Sequence, residues 1–241
     1  MRMQMNPPPA PRMSDVAYEK LRQAIIRAEF EPGAPIEEKM VMERLEVGRT
    51  PLREALQRLS QEDLVKNVPQ RGYFVSTTSA TDLFQLIEFR QHAEVLAARL
   101  AAARASAGHL TDFGLILAEA QAGAAAGNQD LAWNIEIDER MHRLVAKASG
   151  NGYLAQALNR LYALSVRSLY LSHVPITLIR DELETMQALH DALASRDADG
   201  AEAAMRRHLD FNVVNLVASG TRAAPQPVPA AVPGDGQGPG R

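Results

Sequence analysis

The chain has 241 residues, 46% of them hydrophobic, so it can bury one large core or two small ones. It has no cysteine, which excludes disulfides, thiolate zinc sites and thiol catalysis and suits a reducing cytoplasm. The formal net charge of −3 gives no global attraction to nucleic acid, so any DNA contact must come from local basic side chains.

Two tails rich in Pro, Gly and Ala, residues 1–12 and 221–241, bracket the predicted fold. Their few bulky apolar side chains cannot offset the entropy of ordering, so both tails are predicted to be disordered. No apolar run reaches the roughly 18 residues of a membrane span, and the N-terminus lacks the apolar region of a signal peptide. We therefore expect a cytoplasmic protein without membrane contact.

Three short helices and a hairpin are predicted over residues 13–78. The first helix is predicted to begin after a capping Ser14 and to end at "EPG", and the second is "EEKMVMERL". The third, "RTPLREALQRLSQEDL", tolerates Pro51 in its first turn. Its inner stripe of apolar side chains has the spacing i, i+3, i+4, i+7: Leu52, Ala55, Leu56 and Leu59. "LVKNV" and "YFVS" flank a Pro/Gly turn and predict the hairpin.

This order of elements is typical of a winged helix-turn-helix, whose third helix enters the DNA major groove. Opposite the apolar stripe lie Arg49, Arg53 and Gln57, side chain types that bond guanine and adenine bidentately. Lys39 could bind a phosphate, and Arg71 at the hairpin tip could reach the minor groove or the backbone. However, residues 12–78 hold eleven Lys/Arg and eleven Asp/Glu, so a solvated face with scattered ion pairs is the alternative interpretation.

After residue 78 the strand signals disappear. Six segments with helical periodicity follow: 80–104, 109–126, 128–148, 151–172, 175–195 and 197–219. Abundant alanine favours helix there. The predicted fold is therefore mainly α, with the winged helix-turn-helix followed by an all-α antiparallel bundle over residues 79–220.

Within the bundle, "IDERMH" places Asp138 four residues before His142 and Glu139 three residues before it. Both spacings put a carboxylate and an imidazole on one helix face, where they can hold a metal ion. A di-iron bundle would need a second E-x-x-H motif, and no other His in the chain has a Glu three residues before it. Trp133 is expected to be a core anchor. The three histidines without spacing partners are expected to be surface or core residues: His92, His109 and His173.

"LRQAIIRAEFEPG", "EVGRTPLREALQRLSQEDLV" and "QRGYFV" closely resemble the DNA-binding domain of the GntR family of bacterial transcription regulators, over roughly residues 15–76. The helix face and the resemblance together give the predicted DNA-binding set: Lys39, Arg49, Thr50, Arg53, Gln57, Arg71 and Gly72. The family usually has "GVSR" where this chain has "EVGR". Glu46 then occupies a turn position where Gly eases a positive φ, and Gly48 lacks a hydroxyl that could cap the recognition helix.

The second half resembles the FCD class of the same family. The resemblance is carried by "R-x3-E-x3-A-x-L-A" from Arg90, "D-x3-H" at 138–142, "ASGNGYL" at 148–154 and "ALASRDADGAEAAMRRHL" at 192–209. It implies a divalent metal, such as Zn, Mn or Ni, held by one Asp and three His, with a small carboxylate beside it. The implied ligands are Asp138, His142 and His208, but the remaining His is expected at position 186, where this chain has Met186.

Met186 leaves three alternatives open, because a methionine sulfur suits Cu(I) better than these metals. Water or the effector could complete a weakened site of Asp138, His142 and His208, since three protein ligands are a sufficient set. Alternatively, His190, one turn further along, could be recruited by a shifted helix. The third possibility is a polar pocket without metal.

The sequence therefore predicts a homodimeric regulator that binds double-stranded operator DNA and responds to a small organic acid. Arg90 is expected to hold this effector, and Arg167 and Asn151 are further candidate effector-binding residues, with Tyr162 and Tyr170 as possible pocket lining. An enzyme is not expected, because the chain shows no nucleophile–base pair with a supporting motif and no phosphate loop. The alternative is a metal-dependent or ligand-binding helical bundle without a role in DNA regulation.

Overall fold

A computed structural model describes residues 11–128, 130–172 and 179–220. Its elements run in chain order as α1 (Met13–Ile26), α2 (Glu38–Leu45), α3 (Arg49–Gln61), β1 (Val65–Val68), β2 (Gly72–Val75), α4 (Ala80–Arg104), α5 (Ala107–Ala125), α6 (Leu131–Ala148), α7 (Gly152–Ser172), α8 (Ile179–Ala194) and α9 (Ala198–Gly220). The predicted fold class is confirmed: a winged helix-turn-helix precedes a helical bundle. Apart from residues 11 and 12, the predicted tails lie outside the described residues, as does His173.

The first part of the chain packs around α3. Its apolar stripe is fully buried, with Leu52, Ala55, Leu56 and Leu59 each 0% exposed, mainly against α1. The hairpin is antiparallel, and its register runs from Val65 opposite Val75 to Val68 opposite Gly72. Gly72 has φ +89°, a left-handed conformation that glycine adopts without strain, so the tight turn needs this residue.

Two helix ends in this region bear on the sequence predictions. The predicted cap at Ser14 was wrong: α1 already begins at Met13, and the backbone oxygen of Arg12 accepts from Asp15 and Val16. Ser14 therefore lies within the first turn. Glu46 follows the last residue of α2 with φ 55°, the left-handed conformation expected at a turn position where the family usually has Gly. Gly48 is the residue that precedes α3, and it provides no side-chain cap because it lacks a hydroxyl.

The bundle of α4–α9 owes its close packing to small residues. Ala97, Ala98, Ala101 and Ala102 of α4 are all 0% exposed, and α4 makes its most extensive contacts with α9. On α5, a Cβ at Gly123 would lie 2.1 Å from Cη2 of Trp133, so the indole of α6 packs where only glycine leaves room. Trp133 thus lies against the core, as expected.

The two parts share one hydrophobic cluster. Side chains of α1, α3 and the hairpin pack together with Ile135 of α6 and with Tyr162, Ala163 and Val166 of α7. Polar contacts cross the same junction, for example Arg22 Nη1 to Glu139 Oε1 at 3.5 Å. Within the described residues, no helix is both long and apolar enough to cross a membrane.

Candidate functional site

The first candidate site is the outer face of α3 and its neighbours. All the predicted DNA-binding side chains are exposed there: Lys39, Arg49, Thr50, Arg53, Gln57 and Arg71, together with Gly72 at the wing tip. The burial of the opposite face of α3 fixes this orientation. The face therefore offers two arginines and a glutamine on one helix, with a basic side chain on α2 and another on the hairpin.

A single carboxylate holds both α3 arginines in the free protein. Glu38, at the start of α2, accepts from Arg53 Nε at 3.3 Å and lies 3.8 Å from Arg49 Nε. The arginine side chains remain mostly exposed, at 61% and 69%. Exposed pairs of this kind contribute about 0–1 kcal/mol, so phosphates or base edges can displace Glu38 at little cost.

The second candidate site is a buried centre inside the bundle. His208 Nε2 of α9 lies 3.0 Å from Asp138 Oδ1 and 3.1 Å from His142 Nε2, both on α6. His142 Nε2 lies 3.4 Å from the same Asp138 oxygen. The two imidazoles are 3% and 1% exposed. The spacing of Asp138 and His142 thus places them on one face, and the fold brings His208 to meet them.

Neighbouring side chains orient each of these three groups. Glu94 Oε2 lies 2.8 Å from His142 Nδ1, and Thr185 Oγ1 lies 3.1 Å from His208 Nδ1. Since Thr185 donates its own hydrogen to the carbonyl of Glu182, it can accept from that imidazole. With Nδ1 protonated in both rings, the two Nε2 atoms face each other and Asp138.

These three residues fit a divalent metal. In a tetrahedral site with metal–ligand bonds of 2.0–2.1 Å, neighbouring ligand atoms lie about 3.3 Å apart, close to the distances of Asp138, His142 and His208. A metal-binding histidine usually donates its other ring N–H to an acceptor such as a carboxylate, and here Glu94 and Thr185 offer acceptors to His142 and His208. The phenol of Tyr162 donates to Asp138 Oδ2 at 2.8 Å, which leaves Oδ1 directed at the centre.

Charge in the centre is balanced by buried pairs. Arg90 Nε donates to Glu94 Oε1 at 2.9 Å, and Arg90 Nη2 lies 3.2 Å from His142 Nε2. Burial lowers the pKa of His142, but the carboxylates of Glu94 and Asp138 outweigh it and raise that pKa to about 9. Burial likewise disfavours ionisation of Asp138, yet the charge and hydrogen bond of His142 hold its pKa well below the ordinary value. Arg90 and Glu94 therefore form a buried pair, and not the surface pair that their spacing alone suggests.

At position 186 the structure places a core methionine. Met186 is 3% exposed and lines a cavity of about 20 Å³ together with Asp138 and Glu182. That volume has room for about one water molecule, not for an organic acid. His190 faces α5 instead, where its ring packs edge-to-face on Phe113 at 5.6 Å.

The other predicted effector-binding residues lie away from this centre. Asn151 caps α7, its Oδ1 accepting from the backbone N–H of Leu154 at 3.2 Å. It is eleven residues before Tyr162, which is about 16 Å along the helix axis. Arg167, also on α7, is buried at the junction, and its Nη2 donates to the Ser76 carbonyl at 2.6 Å.

Sequence reasoning did not assign three residues to the centre: Glu94, Thr185 and Glu182. The i, i+4 spacing of Arg90 and Glu94 indicates an ion pair between them, but not the contact of Glu94 with His142. Glu182 lies four residues before Met186 on α8, and Thr185 lies three residues after Glu182, so the i, i+3, i+4 spacing was the available signal. Glu139, by contrast, faces α1 and pairs with Arg22.

Comparisons with known proteins agree on both halves of the chain. The profile described as "Bacterial regulatory proteins, gntR family" matches residues 13–75, and the FCD domain profile matches residues 85–211. The HTH-type transcriptional repressor RspR of Escherichia coli (strain K12) is 30% identical over 83% of this chain and 87% of its own length. The corresponding values for GlaR, another HTH-type transcriptional repressor of that strain, are 29%, 80% and 90%. The solved structure of E. coli McbR/YncC has a TM-score of 0.76 at 20% identity, covering 86% of this chain and 98% of that one, which supports the fold.

Proposed function

Since the chain belongs to the GntR family of bacterial transcription regulators and carries an FCD domain, we propose that it binds operator DNA through α3 and that a small carboxylate bound in its bundle changes that binding. The observation that carries the DNA-binding part is the division of α3 into two faces. One face is fully buried in the core, and the other presents Arg49, Arg53 and Gln57 to solvent.

The proposed DNA contacts divide by chemistry. Arg53 and Gln57 are one turn apart on α3 and read base edges in the major groove, where guanine and adenine offer bidentate partners. Lys39 precedes α3 in the chain and Arg71 follows it, and both side chains are exposed. We assign them to phosphates, whose contacts position the protein on the duplex without reading its sequence. One protomer supplies a single α3, so a homodimer on a pseudo-palindromic site provides the two that stable recognition needs.

The buried centre is the proposed effector site. A divalent ion there would be held by Asp138, His142 and His208, and it would supply a positive charge that attracts a carboxylate. Arg90 supplies a second cation beside His142. With the ion bound, two cations would lie beside one another at this centre, which favours a small anionic ligand over an apolar one.

The size of the cavity indicates how binding would be transmitted. The cavity of about 20 Å³ beside the centre is lined by Asp138 but not by Arg90, His142 or His208, and it cannot admit an organic acid unless a wall moves. Helix α8 supplies Glu182, Leu183 and Met186 to that wall. We propose that the effector displaces α8, and that the displacement changes how the two protomers place their α3 helices on DNA. Because RspR and GlaR are both named as repressors, we propose repression as the output.

Selection of operator sequences from random DNA with the purified full-length protein tests the proposal. We expect a pseudo-palindromic consensus bound at least about a thousandfold more tightly than unrelated DNA at fixed salt. Addition of small mono- and dicarboxylates, with and without metal, should shift that affinity. Failure to enrich any sequence contradicts the DNA-binding role, whereas enrichment without a carboxylate effect contradicts only the effector class.

A further inference from the structure

We propose that Glu182 completes the metal site of this protein, in the place of the histidine that Met186 replaces. The proposal deepens the proposed function, since it rests on a metal ion held by the buried triad of Asp138, His142 and His208. It assigns the fourth ligand to a carboxylate of this chain, because methionine stands at position 186, where the family pattern implies a histidine.

The position of Glu182 on α8 supports this role. Glu182, Thr185 and Met186 are spaced i, i+3 and i+4, so they share one helix face. Thr185 on that face contacts His208 at 3.1 Å, and Met186 lines the same cavity as Glu182 and Asp138. The face of α8 that carries the expected ligand position therefore also carries a carboxylate one turn earlier.

Glu182 lies beside the triad and not within it: the ligand atoms that lie within 4.8 Å of one another are those of Asp138, His142 and His208, so Glu182 would join the site by a shift of its side chain when the ion binds. Among the residues that the structure describes, no hydrogen bond or salt bridge reaches its carboxylate. Glu182 and Asp138 line the same small cavity. Two carboxylates that face one small cavity repel each other, and a divalent ion near both removes that repulsion.

The other candidates for a fourth ligand are less suitable. His190 packs against Phe113 of α5, and its Nδ1 lies 3.3 Å from Asp191, so its ring is directed away from the triad. The Met186 sulfur is too soft for a site of carboxylate and imidazole donors. With Glu182, two carboxylates and two neutral imidazoles balance the charge of a divalent cation.

Metal binding by the full-length protein tests the proposal directly. The protein would be stripped with chelator, and its affinity for Zn²⁺ and Mn²⁺ measured by competition with a chelating dye, with bound metal counted by elemental analysis. Glu182→Gln keeps the size of the side chain and removes its charge. Glu184→Gln makes the same change at an exposed position of the same helix and is the matched control. His208→Ala reports loss of a triad ligand.

We expect one metal ion per wild-type chain, an affinity at least about tenfold weaker in Glu182→Gln, and an affinity within about twofold of wild type in Glu184→Gln. The metal-free Glu182→Gln protein should unfold at or above the wild-type temperature, because it lacks the buried acid, so weaker metal binding would not reflect misfolding. Wild-type affinity in Glu182→Gln overturns the proposal. Absence of metal from the wild type also overturns it, and unchanged operator binding in the same preparation would show that the DNA-binding role stands.

Discussion

Replacing Arg53 with alanine tests the assignment of α3 as the recognition helix, and Arg58 on the same helix is the matched control. The two side chains are five residues apart, which is about 140° around the helix. Arg53 is 61% exposed on the outer face. Arg58 points toward α1, where Nη1 donates to Asp15 at 2.7 Å and the guanidinium lies 3.8 Å from the centre of the Tyr18 ring. Both substitutions remove one positive charge from α3.

The structure sets how much more Arg53→Ala should weaken operator binding than Arg58→Ala. Removing an arginine that bonds guanine bidentately costs about 1–3 kcal/mol of binding free energy, and this net figure already includes release of the side chain from an exposed partner such as Glu38. Arg53→Ala should therefore weaken binding to the selected operator by about 5- to 150-fold and relax the base preference at one position of each half-site. Arg58→Ala should stay within about threefold of wild type, since its partners lie within the protein.

Fluorescence anisotropy with a labelled operator duplex and a mismatched duplex, at several salt concentrations, measures both affinity and specificity. An Arg53→Ala protein that binds the operator as tightly as wild type would refute the assignment of Arg53. Equal losses in the two variants would show that only the charge of α3 matters and that this face reads no bases.

Three further outcomes follow from the buried groups. His208→Ala should abolish stoichiometric metal binding, and elemental analysis that still finds one ion per chain would contradict the ligand set. In metal-free protein, His142 has a folded-state pKa of about 9, above the ordinary value of 6.5, so its stabilising contribution is complete below about pH 6.5 and is lost as pH rises through 9. Denaturant unfolding in chelator between pH 6 and 9.5 should show this loss, and His142→Gln should lack it. Arg167→Met should leave the free energy of unfolding unchanged or raise it by about 1–3 kcal/mol. The reason is that Nε and Nη1 of Arg167 are buried and have no hydrogen-bond partner among the described residues. A decrease of more than about 1 kcal/mol in the same assay would contradict this.

The fold was predictable from sequence to the extent that local chemistry determines it. The i, i+3, i+4, i+7 stripe of α3 and the Pro/Gly turn of the hairpin are local signals, and the structure follows them. Helix starts were less predictable: α5 begins at Ala107 because Ser106 and His109 form a reciprocal cap, whereas periodicity alone placed its start at residue 109. The error at Ser14 has the same origin, since a serine near a helix start can cap it or lie within it.

The buried centre was likewise predictable from sequence only in part. The pairing of Asp138 with His142 follows from their spacing on one helix. Their approach to His208, 66 residues later, depends on how α6 and α9 pack, which no spacing rule gives, and only the family resemblance indicated it. Glu182 was not predicted because an acidic residue on an amphipathic helix normally faces solvent. Its significance depends on the small cavity that it shares with Asp138.

One hydrophobic cluster packs α1 and α3 of the winged helix directly against α7 of the bundle. Tyr162 connects both regions, since it packs in this cluster and donates to Asp138. A displacement that begins at the buried centre would thus rotate the winged helix together with its supporting helices. A fragment that ends near residue 78 would expose the apolar surface that Val166 and its neighbours cover. Calorimetry of the intact chain should therefore show a single cooperative transition for the winged helix and the bundle together.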